Sequence, residues 1–245
     1  MSKDLILQLI SLIDLTTLDN KDNEESVMKL VNKANLGISG IHPAAICVHA
    51  HFAELVKNNT DIPVAVVGGY FPSGQTTSSI KKAELEILGK SVADEIDIVI
   101  NRGELAAENN ELISREIKEA RSVTAGKHLK VILESGELTP DQIVTASKLA
   151  ISAGADFIKT STGKIPVGAT PEAAEIMCTE INNWFIQTGK KVGFKPSGGI
   201  RTFEEAMVYY NIVHDILGEE WLTPELFRIG ASSLYDNLVR ELENL

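Results

Sequence analysis

Two lysines stand in short apolar runs, Lys159 in FIKTS and Lys195 in GFKPS. Lysine is almost never buried without a partner or a task. If both side chains point into one interior, each ammonium disfavours the other, and burial pushes in the same direction. The result is an amine with a useful neutral population near neutral pH, which is what a nucleophile toward a carbonyl requires. The alternative is that both lysines point outward and snorkel between helices. Asp97 sits in EIDIVIN with isoleucine on both sides, where a carboxylate is costly unless paired. Its natural partner is one of the two lysines. From there it can carry protons to and from a carbinolamine, directly or through water. A purely structural ion pair is the competing reading.

A second constellation is rich in glycine. STGK spans 161–164, SGGIR 197–201 and GASS 230–233. Glycine lets backbone N–H groups approach a ligand, and a helix start favours an anion. Alone, each segment reads equally as a tight turn. STGK is not a Walker A loop, because the upstream glycine is missing. Metal chemistry finds little support. Of five histidines only His49 and His51 are close in sequence, and a site on that pair needs a third ligand from elsewhere. Cys47 reads as a small core residue, and with Cys178 far away a disulfide framework is not expected.

These groups need a scaffold that brings strand ends together. The pattern alternates strand and helix: strands at 12–16, 46–50, 63–71, 95–101, 129–134, 156–161, 192–197 and 227–232. Helical patterns cover 3–11, 24–35, 77–91, about 104–125, 140–152, 171–187, 202–216 and 233–243. Thr139-Pro140 and Thr170-Pro171 are helix-start signals. The strands are apolar runs rather than clean alternations, as parallel strands covered by helices should be. We expect one α/β domain over 1–245, a (β/α)₈ TIM barrel with a short N-terminal helix. Such barrels need roughly 250 residues. A doubly wound open sheet is the competing architecture. In a barrel, active groups lie at the C-terminal strand ends. The polar residues there are Asp14, Thr16, Asp97, Asn101, Arg102, Glu134, Lys159 and Lys195.

The net charge of −11 argues against a nucleic-acid partner, while a small anionic substrate remains allowed by local fields. No apolar run reaches about 18 residues, so no membrane span is expected. The first residues lack the pattern of a signal peptide, and a cytoplasmic location is expected. A homodimer and a monomer are both allowed.

The chain resembles the deoxyribose-phosphate aldolase family. The matching stretches are LIDLTTL at 12–18, AAICV at 44–48, ADEIDIVIN at 93–101, KVILESGEL at 130–138, GADFIKTSTGK at 154–164, ATPEAA at 169–174, VGFKPSGGIRT at 192–202 and RIGASSL at 228–234. The resemblance implies a barrel that reversibly cleaves 2-deoxy-D-ribose 5-phosphate to glyceraldehyde 3-phosphate and acetaldehyde, with no metal and no organic cofactor. It implies Lys159 as the Schiff-base lysine, Lys195 as the lysine that makes it more acidic, and Asp97 as the proton relay. It places Asp14 and Thr16 near the substrate, and Gly163, Lys164, Gly198, Gly199, Ser232 and Ser233 around the phosphate. Two departures stand out. VGGYFPSG at 67–74 carries Gly68 and Gly69 where members often have a larger polar residue, and no tyrosine follows Tyr235. A metal-dependent aldolase or epimerase, and a non-catalytic sugar-phosphate-binding barrel, are the alternatives.

Overall fold

The computed structural model describes residues 2–245. Eight parallel strands follow in chain order: β1 (Ile13–Thr16), β2 (Ala45–His49), β3 (Val64–Gly68), β4 (Glu95–Val99), β5 (His128–Ile132), β6 (Phe157–Lys159), β7 (Gly193–Lys195) and β8 (Ile229–Ala231). Each pairs with its neighbour in sequence, and β1 also pairs with β8. Bridges Phe194 to Phe227 and Ser197 to Gly230 join β7 to β8 and complete the circle. The fold is the expected (β/α)₈ barrel with an N-terminal helix.

Among the described residues ten α-helices surround it: α1 (Lys3–Ser11), α2 (Glu24–Leu36), α3 (Ala53–Lys57), α4 (Ser78–Gly89), α5 (Arg102–Ala106), α6 (Asn110–Val123), α7 (Pro140–Ser152), α8 (Pro171–Thr188), α9 (Phe203–Leu217) and α10 (Leu234–Glu243). Local chemistry sets their starts. Thr139 caps α7 and forms a reciprocal box with Gln142, with Pro140 at the first helical position. Thr170 caps α8 ahead of Pro171, and Thr202 forms a reciprocal box with Glu205 at the start of α9. Two expectations change. The pattern over 104–125 is two helices, broken where Glu108 takes φ 58° and Asn109 caps α6. The stretch after β2 holds the five-residue α3, too short to show a helical period.

The main apolar core lies between strands and helices. Inside the barrel the filling differs. β2 and β3 contribute small or apolar side chains, Ala45, Cys47, Ala65 and Val67, packed with Leu18 and Phe71. Glycine occupies β7 at Gly193 and β8 at Gly230. A Cβ on Gly193 would meet the Phe157 ring at 2.3 Å, and one on Gly230 would meet Ser197 Cβ at 2.8 Å and Lys195 Cε at 3.2 Å. These short side chains leave room for long charged ones from β4 to β7.

Candidate active site

The registers place the long side chains. Asp97 on β4 lies beside Lys130 on β5, and Lys159 on β6 beside Lys195 on β7. Asp97 is fully buried and touches three lysines. Its Oδ2 accepts from Lys159 Nζ at 2.8 Å and from Lys195 Nζ at 2.7 Å. Its Oδ1 accepts from Lys130 Nζ at 3.0 Å. Both expected lysines therefore point inward and share one oxygen atom.

A deeper tier supports them. Lys195 pairs with Asp14, and Arg228 Nη1 donates to Asp14 Oδ1 at 2.6 Å. Arg228 Nη2 donates to Glu95 Oε1 at 2.8 Å, and Lys130 donates to Glu95 Oε2. Phe157 closes the tier beneath, its ring centroid 5.9 Å from Lys130 Nζ and 5.7 Å from the Arg228 guanidinium carbon.

Burial alone would push the Asp97 carboxyl up. Lys130, Lys159 and Lys195 together outweigh it and hold Asp97 well below the ordinary carboxylate range. Burial would likewise push the Lys195 ammonium down, but Asp14 and Asp97 hold it above the ordinary lysine range. Lys195 is thus a fixed cation beside Lys159. The same cluster sets three carboxylates (Asp14, Glu95 and Asp97) against four cations: Lys130, Lys159, Lys195 and Arg228. Of the four, only Lys159 lines the open cavity.

That cavity, about 430 Å³, lies at the C-terminal end of the strands. It gathers Thr16, Lys159, Gly163, Lys164, Gly198, Gly199, Ser232 and Ser233. Gly198 and Gly199 take φ of 86° and 88°, a left-handed backbone that glycine adopts at no steric cost. Ser233 stands at the start of α10 without using its side chain as a cap. Orphan N–H groups at such a start favour an anion. Lys164 reaches across the mouth and donates to the Leu18 carbonyl. Arg201 also lines the wall and adds a cation there.

Asp14, expected near the substrate, lies instead under the cavity floor, fully buried against Lys195 and Arg228. Asp97 and Lys195 likewise lie below the floor and do not line the cavity. Sequence reasoning passed over Glu95, Lys130 and Arg228. One signal was present: Glu95 precedes Asp97 by two residues, so both face the same side of β4. Cys47 is buried inside the barrel, where burial pushes its thiol up and keeps it a packing group. Among the described residues no three His, Cys, Asp or Glu side chains converge as a metal site would require, and no helix is long and apolar enough to cross a membrane.

Comparison with known proteins agrees with this geometry. The model of the DeoC/LacD family aldolase matches residues 8–233. The deoxyribose-phosphate aldolase of Homo sapiens is 40% identical over 97% of this chain and 80% of its own length. The deoxyribose-phosphate aldolase of Mus musculus is 41% identical over the same shares, 97% and 80%. The solved structure of QR15, an aldolase, superposes with a TM-score of 0.78 at 29% identity, covering 96% of each chain. A barrel with an interior lysine at its cavity floor, matched over most of its length by that family model, belongs to the DeoC/LacD aldolase family.

Proposed function

We propose that the chain is a class I aldolase that reversibly cleaves 2-deoxy-D-ribose 5-phosphate to D-glyceraldehyde 3-phosphate and acetaldehyde through an imine on Lys159. The observation that carries this reading is that Lys159 alone connects a surplus-cation cluster to a cavity whose far rim suits an anion. The names of the human and mouse relatives support the substrate.

The neutral Lys159 amine adds to C1 of the open-chain sugar, and loss of water gives an iminium. The C3 hydroxyl loses its proton, the C2–C3 bond breaks, and its electrons pass into the iminium as an enamine. Glyceraldehyde 3-phosphate leaves. Protonation at C2 and hydrolysis then release acetaldehyde and the free lysine. Asp97, within 2.8 Å of Lys159 Nζ, stabilises the iminium charge. Once Lys159 is neutral, Asp97 has one cationic partner fewer and accepts a proton more readily, so it and water serve as the relay. Lys195 keeps a positive charge beside the amine. Gly163, Lys164, Gly198, Gly199, Ser232 and Ser233 hold the phosphate, and Thr16 faces the sugar. Anchoring the phosphate far from the breaking bond positions C1 over Lys159 and lets remote binding energy assist the chemistry.

Borohydride reduction with acetaldehyde present should leave an ethyl group on Lys159, read by peptide mass mapping. Labelling at Lys195 alone, or none, would overturn the assignment. Lys159→Ala should abolish cleavage in an assay coupled to glyceraldehyde 3-phosphate. Activity should also survive exhaustive chelation. Loss restored by a divalent ion would favour a metal-dependent aldolase, which polarises the carbonyl without an imine.

A further inference from the structure

Glu134 is a charged residue that the proposed mechanism does not use. It lies two residues beyond the end of β5, fully buried, with a left-handed backbone at φ 59° and ψ 52°. A non-glycine residue in that region is uncommon and persists where its surroundings require it. Its side chain faces the loop after β6. Oε1 accepts from the Thr162 N–H at 3.0 Å, and Oε2 accepts from the Thr162 hydroxyl at 2.5 Å. Because that hydroxyl donates its only proton to Glu134, its lone pairs are free, and one accepts the Lys164 N–H at 3.1 Å. Arg102 stands 3.8 Å from Oε2 and makes its closer contact, 2.5 Å, with Glu137.

We propose that Glu134 is a positioning residue that fixes the loop 162–164 in the shape that binds the substrate's phosphate. The proposal rests on the aldolase reading given above. The carboxylate and the threonine hydroxyl form a two-step relay that ties down the residues on both sides of Gly163. Gly163 is then held at φ 74° with open space on its cavity side. A buried anion behind a phosphate loop opposes phosphate binding by its charge alone. Its contacts explain how it is tolerated. They occupy the N–H of Thr162 and, through the hydroxyl, that of Lys164, while the Lys164 ammonium stays on the cavity side. A loop ordered before binding does not lose its freedom when the ligand arrives.

The test measures kcat and KM with 2-deoxyribose 5-phosphate and with unphosphorylated 2-deoxyribose, in the parent, Glu134→Ala, Glu134→Gln, Thr162→Val and the double variant Glu134→Ala with Thr162→Val. Glu134→Ala should raise KM for the phosphorylated sugar by about tenfold or more, the scale of lost charge-assisted hydrogen bonds. It should change kcat/KM for the neutral sugar, and borohydride trapping by acetaldehyde, by less than about threefold. Glu134→Gln keeps an acceptor for the Thr162 N–H and should recover most of the loss. The double variant should be no worse than its worse single parent, because both changes break one relay. Equal effects on the two sugars, no effect on either, or additive losses in the double variant would overturn the proposal. Should Glu134→Ala fail to fold, Thr162→Val, which removes the hydroxyl that links Glu134 to the Lys164 N–H, gives the same comparison between sugars. Absence of imine trapping in the parent would instead remove the aldolase reading, so the two failures are distinct.

Discussion

Lys81 and Lys159 are both buried to the same degree, each 3% exposed, yet they sit in unlike surroundings. Lys81, on α4, meets Glu116 of α6 at 2.8 Å, and the other oxygen of Glu116 accepts from Ser78 at 2.8 Å. One cation faces one anion, and the remaining acceptor is used. Lys159 belongs to a cluster with one more cation than carboxylates, in which Asp97 is shared among three ammonium groups. The first arrangement is closed, whereas the second carries an extra cation and opens to the cavity that Lys159 lines. Burial of a lysine alone is therefore a poor sign of chemistry. Uneven charge beside a cavity is a better one.

The largest effect should come from Asp97→Asn. It leaves four cations facing two carboxylates and removes the relay, so kcat should fall by about 10²–10⁴-fold and the melting temperature should fall with it. A variant that cleaves at the parent rate would end the contrast between the clusters. Next, Glu116→Leu strands a buried ammonium and should cost about 3–5 kcal/mol in denaturant unfolding, with kcat unchanged. Adding Lys81→Met should restore most of that stability, since a closed pair is replaceable by apolar packing. A double variant as unstable as the single one, or one slowed in cleavage, would blur the distinction.

The smallest effect concerns pH. His128, half-exposed at the start of β5, is raised above its ordinary value chiefly by the Glu95 carboxylate, whose Oε1 lies 3.7 Å from its Nδ1, with burial opposing. A raised group stabilises the fold fully below its unfolded value, about 6.5, and that contribution is lost as pH climbs through the folded value. His128→Asn should flatten this shallow step in melting temperature. Asp14 and Asp97 behave oppositely. Their lowered values give stability that is present above the ordinary carboxylate range and lost on acidification through the folded values. A parent protein that gained stability on strong acidification would contradict the ion pairs described.

Much of the barrel was legible because its signals are local. Thr139-Pro140 and Thr170-Pro171 mark helix starts by cap chemistry that needs no tertiary context. Strand ends were less legible. Thr160 and Ser161 continue the buried run of β6 but lie beyond its last paired residue. Lys159, Lys195 and Asp97 were visible as charges inside apolar runs. Lys130 and Arg228 are also buried, but Lys130 follows the polar stretch 126–128 and Arg228 precedes β8, so each reads as a charge at the edge of an apolar run. Their inward direction follows from cross-strand register, such as Asp97 opposite Lys130, which a linear string does not display. The proposal that the glycine segments hold a phosphate depended on the family resemblance, since each segment alone reads as an ordinary turn.

The missing side chain of Gly230 bears on how such a centre could be moved to another scaffold. A methyl there would press on Ser197 and on the stem of Lys195, so the lysine and the vacancy beside it form one unit. A lysine grafted onto a new strand without its matching void would be squeezed out of the interior or would displace its neighbours. Transplantation therefore calls for paired changes on facing strands, one that adds length and one that removes it. The same coupling explains how a barrel can host a buried ammonium without enlarging its girth.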